Sequence, residues 1–206
     1  MLRKLIAGAL LLSVILLLGF LFWEQELQYS FPTPVPNDYQ IVPVNQSLVI
    51  PDSSLAPIDR PVFYHFFKPG CPCSRFNVKH FNSLKRKFES KMDFVVVVPE
   101  GSDFEKSLSY FDKELTVTID QGMKLAHTFG VYSTPQAVIV NTDRKLFYRG
   151  NYNKARYCTD PGSNFAQMAI DSLMMNRNAP DFGLLSTISY GCGLPDNEFK
   201  LWKLTL

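Results

Sequence analysis

An α/β fold, with a central mixed sheet flanked by helices and one membrane-spanning helix ahead of it, is what this sequence predicts. Three observations predict it. An uncharged apolar run occupies residues 5–23. Strand-like and helix-like periodicities alternate between residues 62 and 129. Two short apolar segments, 136–140 and 145–152, are joined by the turn-forming Asn141-Thr142-Asp143-Arg144 and read as a hairpin. Alternation followed by a hairpin calls for a sheet covered by helices on both faces.

The apolar run is close to the ~20 residues that a helix needs to cross a bilayer. Arg3 and Lys4 precede it, and Glu24 and Glu26 follow. The basic flank stays cytoplasmic by the positive-inside rule, so the rest of the chain faces outward, and Phe22 and Trp23 suit the far interface. No Ala-x-Ala site ends the run. An uncleaved anchor is therefore expected, with a cleaved signal peptide as the rival. The expected location is the cytoplasmic (inner) membrane, single-pass, with the folded domain on the periplasmic or extracytoplasmic side, where disulfides persist. The expected organisation is a cytoplasmic stub at 1–4, the anchor at 5–23, a proline-rich spacer at 24–59, the domain at 60–178 and a C-terminal extension at 179–206. The spacer carries Pro32, Pro34, Pro36, Pro43, Pro51 and Pro57, a density that few regular elements survive. Residues 39–44 and 47–50 are candidates for edge strands packed on the domain.

Within the domain, residues 62–67 read as a buried strand. Residues 74–90 read as an amphipathic helix, with Phe76, Val78, Phe81, Leu84 and Phe88 spaced by two to four residues among lysines and Arg86. A β-branched run at 94–98 suits a central parallel strand. Residues 102–111 read as a helix opened by Ser102 or Asp103. A strand at 115–119 follows, then a helix at 123–129 stopped by Gly130 and, after the hairpin, a closing helix at 164–175. With 206 residues, 21 Lys and Arg against 19 Asp and Glu, the charge is too balanced to argue for nucleic acid.

The chemistry concentrates in Cys71-Pro72-Cys73, where the first strand gives way to the first helix. A thiol there lies near unsatisfied backbone N–H groups and the positive end of the helix dipole. Both stabilise the thiolate, which is the reactive form. The layout belongs to a redox or soft-metal site.

Three blocks resemble the thioredoxin-like superfamily, in its membrane-anchored redoxin and thiol–disulfide oxidoreductase branch. They are Phe66-Phe67-Lys68-Pro69-Gly70-Cys71-Pro72-Cys73, then Leu125-Ala126-His127-Thr128-Phe129-Gly130-Val131-Tyr132-Ser133-Thr134-Pro135-Gln136, then the hairpin from Val138 to Gly150. The resemblance implies a thioredoxin-like fold over residues 60–178 and thiol–disulfide exchange on protein or small-molecule disulfides. It implies a cis bond before Pro135, with Thr134 pairing an extended substrate beside the cysteine. It places His65 where relatives often hold a buried proton-moving carboxylate. The chain departs from the family in having Cys-x-Cys for Cys-x-x-Cys, so that Ser74 takes the second position when Cys71 takes the first. Lys68 stands where a peroxiredoxin has threonine, which argues against peroxidase chemistry.

On this reading Cys71 attacks and Cys73 resolves. Thr134, Pro135 and His65 complete the catalytic set, no cofactor is needed, and a redox-resetting protein partner is required. Cys158 and Cys192, flanking one helix, are expected to form a structural disulfide closing a loop of about 35 residues, worth ~3–4 kcal/mol in the chain-entropy model. The alternative is that one of them resolves Cys71. Two rival functions stay open. One is Cu(I) binding by Cys71, Cys73 and His127, since thiolates are soft ligands. The other is a non-catalytic thioredoxin-like adaptor.

Overall fold

The computed structural model describes residues 1–51 and 59–194. The ends of the expected spacer (52–58) and of the expected C-terminal extension (195–206) lie outside the described residues. The chain divides into two compact units, Met1–Phe31 and Pro32–Leu206. In the first, helix α1 (Leu2–Gln25) has 24 residues, none of them buried, and a mean hydropathy of 2.8 over its most apolar window. At 1.5 Å per residue it is about 36 Å long, enough to cross the ~30 Å hydrocarbon layer.

In the second unit the elements run β1 (Val62–Phe66), α2 (Pro72–Phe88), β2 (Asp93–Pro99), α3 (Phe104–Leu108), β3 (Thr116–Asp120), α4 (Lys124–Phe129), β4 (Ser133–Thr134), β5 (Gln136–Val140), β6 (Leu146–Gly150), α5 (Phe165–Met174), α6 (Leu184–Thr187) and β7 (Cys192–Gly193). The main sheet has the order β3-β2-β1-β5-β6. β1 is central, parallel to β2 and antiparallel to β5. The fold is thioredoxin-like.

Alternation along β1 divides the core. Phe63 and Phe67 face a layer with Phe81, Leu84 and Phe88 of α2 and with Phe165, Ala169 and Ile170 of α5. Tyr64 and Phe66 face a second layer with Leu125, Ala126 and Phe129 of α4. Both layers exclude water, as an inner β1 with no exposed residue requires. Phe76 departs from the predicted apolar face. It is 38% exposed, with its ring 4.6 Å from Tyr157 and Arg156 above it at 5.1 Å.

α3 is a single turn, shorter than the predicted 102–111 helix. Asp103 caps it by accepting from the Lys106 N–H at 2.9 Å. The chain then bends so that Phe111 enters the core edge-on to Phe67 and Phe81. The burial of Phe111 prevails over continued helix. Asp120 at the end of β3 accepts from the amides of Leu125 and Ala126 at 2.8 and 2.9 Å, fixing the start of α4. Burial raises its carboxyl above the usual carboxylate range.

Residues 32–51 form no named strand, and the prolines that remove ladder donors account for it. The segment nevertheless lies along β6. Asn45 and Leu48 amides donate to Leu146 and Arg144 carbonyls at 2.7 and 2.8 Å, and Val42 and Leu48 are buried in the second layer.

Candidate active site

The helix start is built as the sequence dictates. The Cys71 amide donates to the Lys68 carbonyl at 3.0 Å, closing the Lys68-Pro69-Gly70-Cys71 turn. Cys71 is the N-cap of α2, in extended conformation, and Pro72 occupies the first helical position, where its missing N–H costs nothing. No side chain caps this end. Ser74 is buried and its hydroxyl accepts from the Lys68 amide at 3.3 Å.

The structure corrects the expected cysteine pairing. Cys71 is joined to Cys192, with Cα atoms 6.0 Å apart across 121 residues of sequence. Cys73 and Cys158 are thiols. The expected Cys158–Cys192 staple is therefore absent, and Cys73 is not the partner that closes on Cys71. The reason is the path of the C-terminal segment. β7 leaves the α5 side of the domain and pairs antiparallel with β4, Thr134 opposite Cys192 and Ser133 opposite Gly193. The Leu194 amide extends the ladder to the Tyr132 carbonyl at 2.9 Å. The Thr134–Pro135 bond is cis. The Cys71 sulfur lies 3.6 Å from the Thr134 carbonyl oxygen. Cys71, Thr134, Pro135 and Cys192 thus meet at one place.

Cys73 faces inward on the first turn of α2 and is 2% exposed. Asn77, one turn on, donates to the Cys73 carbonyl at 3.0 Å and accepts from the Cys158 thiol at 3.0 Å. Cys158 is thereby held against α2 rather than beside β7. Burial pushes its thiol up to about 12, so it stays protonated at neutral pH.

His65 lies in an aromatic box. Its ring stacks on Phe81 at 4.5 Å and approaches Phe67, Phe111 and Tyr152. Its Nδ1 is 2.7 Å from the Tyr152 hydroxyl. Burial lowers its pKa to about 3, so the imidazole is neutral under ordinary conditions. His127 is exposed on α4. Among the described residues no three His, Cys, Asp or Glu side chains are grouped to hold a metal.

Sequence reasoning missed the residues that hold the C-terminal segment. Asn151 donates to the carbonyls of Leu185 and Ile188 at 3.0 and 2.6 Å. Gln136 bonds the Ser189 hydroxyl, and the Thr33 amide donates to the Ser189 carbonyl at 2.8 Å. Beside the site, a cleft of about 770 Å³ is lined by Lys68, Gly70, Glu100, Asp103, Lys106 and Leu194 among others.

Solved structures match over most of this chain. A hypothetical protein from Sinorhizobium meliloti 1021 matches with TM-score 0.61 and 14% identity, over 75% of this chain and 95% of its own. An uncharacterized conserved protein from Geobacillus kaustophilus matches with TM-score 0.58 and 18% identity, over 78% of this chain and 96% of its own. A secreted Mycobacterium tuberculosis disulfide oxidoreductase matches with TM-score 0.42 and 16% identity, over 57% of this chain and 81% of its own, an overlap too small to carry anything to this chain. No curated protein matches. Residues 44–193 match one family over most of the folded unit, from the segment beside β6 to β7, and this chain belongs to that family, described as a domain of unknown function (DUF6436).

Proposed function

We propose that this protein is a membrane-tethered thiol–disulfide oxidoreductase acting on disulfides outside the cytoplasmic membrane, with Cys71 as the attacking thiolate and Cys192 as the resolving thiol. The observation that carries the reading is the Cys71–Cys192 disulfide at the N-terminus of α2, opposite Thr134. A cysteine at such an end is favoured as thiolate by the free amides and the helix dipole. In the dithiol state the Cys71 thiolate attacks a substrate disulfide. A Cys71–substrate bond forms, the substrate S–S bond breaks, and one substrate thiolate leaves with the electron pair. The Cys192 thiolate then attacks the Cys71 sulfur, the Cys71–Cys192 bond forms, and the second substrate thiolate leaves. Two electrons pass to the substrate, and a protein dithiol returns the pair to its reduced state. α1 supplies the tether, with the active unit on the extracytoplasmic side.

The test is thiol–disulfide exchange with glutathione disulfide by the reduced chain. Cys71→Ser is expected to lower the rate at least 100-fold. Cys192→Ser is expected to keep the first step within a few-fold and to stop at the Cys71–glutathione mixed disulfide, which mass spectrometry detects. Cys73→Ser is expected to turn over within a few-fold of wild type. Undiminished exchange in Cys71→Ser contradicts the reading.

A further inference from the structure

We propose that residues 190–194 are a resident copy of the substrate, seated where an extended polypeptide carrying a disulfide binds. The inference rests on the oxidoreductase reading and adds the residue required before the substrate cysteine and the gating of the site by the chain's own segment.

Three features make this segment a stand-in rather than a staple. It binds through main chain, antiparallel to β4, which is how an extended peptide adds to a sheet edge. Its cysteine lies opposite Thr134 and is bonded to Cys71, the arrangement of an enzyme–substrate mixed disulfide made within one chain. Its anchorage is uneven. Up to Ser189 it is held by Asn151, Gln136 and Thr33, and Ser189 itself is fully buried. Among the described residues beyond Ser189, the contacts are the two-residue ladder, a 3.3 Å bond from the Thr33 hydroxyl to the Gly191 carbonyl, the Leu194 bond to Tyr132, and burial of the Leu194 side chain. Breaking the disulfide frees a strap whose remaining hold is weak.

Gly191 states what the site accepts. Its φ is +150°, and a Cβ there would lie 2.1 Å from the Thr134 carbonyl oxygen. A polypeptide that copies this pose therefore carries glycine immediately before its cysteine. Leu194 walls the 770 Å³ cleft, so departure of the strap also opens that cleft to the residues that follow the substrate cysteine.

In the disulfide state the strap fills the peptide site. In the dithiol state it leaves, the site admits substrate, and Cys71 forms the mixed disulfide. When the strap returns, Cys192 takes over the bond to Cys71 and the same strand pairing expels the reduced segment. Resolution and product release are one event.

The experiment uses the full reduced chain in detergent. The probes are glutathione disulfide, a peptide with the sequence of residues 190–194 in mixed disulfide with glutathione, and the same peptide with valine before cysteine. The glycine peptide is expected to react with Cys71 at least tenfold faster than the valine peptide. Equal rates for the two peptides, with Cys71 reactive toward all three probes, overturn the inference and leave the oxidoreductase reading standing. Failure of Cys71 to react with any probe overturns that reading and the inference with it. Hydrogen exchange of the wild-type chain gives an independent readout. Amide protection at residues 192–194 is expected to fall at least tenfold on reduction of the disulfide, and equal protection in both states overturns the inference.

Discussion

Cys71, Cys158 and His65 show how position in the fold assigns different roles to groups that look equally reactive in the sequence. Cys71 caps a helix and meets Thr134 and Cys192, whereas Cys158 donates to Asn77 with its thiol pushed up to about 12. Alkylation of the reduced chain at pH 7 is therefore expected to leave Cys158 unmodified, and Cys158→Ser to exchange disulfides within twofold of wild type. Rapid labelling of Cys158 contradicts this. His65 has a depressed pKa, about 3 against 6.5, so the folded state refuses a proton that the unfolded state accepts. Its contribution to stability is complete above about pH 6.5 and is lost as the pH falls from there to about 3, by a few kcal/mol in all. His65→Leu is expected to flatten that acid limb in denaturant titrations. It is also expected to cost about 1–3 kcal/mol at pH 7 because the Tyr152 hydroxyl loses its partner.

The main strands and helices were legible because each carries its own period. The apolar run along 62–66, the spacing along 72–88 and the unbroken β-branched run of β2 are local signals, and the elements lie within a few residues of expectation. α3 was overestimated because Phe111 continues the apolar spacing on paper while tertiary packing turns it inward. β7 was invisible. Two residues have no periodicity, and the pairing that defines them is to β4, about sixty residues earlier. Without that pairing, four cysteines admit three connectivities and proximity in sequence favours the wrong one. The hint in the sequence was Gly191-Cys192-Gly193, small residues on both sides of a thiol. At this scale Asn151→Ala is expected to destabilise the domain by about 1–3 kcal/mol, since it removes the side-chain donor to two carbonyls before the strap, and a urea midpoint measures it. Gly191→Val is expected to slow formation of the Cys71–Cys192 bond at least tenfold in stopped-flow thiol trapping, because the added Cβ meets the Thr134 carbonyl. An unchanged rate contradicts the role given to the ladder.

The molecule as a whole combines an apolar helix with a folded unit that carries its own two-layer core. The full chain is expected to sediment with membranes. A chain beginning at Pro32 is expected to be soluble and to retain the exchange rate of Cys71 within a few-fold, measured on the purified fragment. The distribution of thiols follows the same division, with four cysteines in the folded unit and none in the helix. On the proposed function electrons reach the site from another protein, and the identity of Cys71's partner decides how they arrive. Disulfide mapping by mass spectrometry, on wild-type protein quenched after one turnover with glutathione disulfide, tests this most directly. The predicted product is a peptide pair joined through Cys71 and Cys192, with Cys73 and Cys158 recovered as thiols. A Cys71–Cys73 or Cys158–Cys192 linkage in its place contradicts the account.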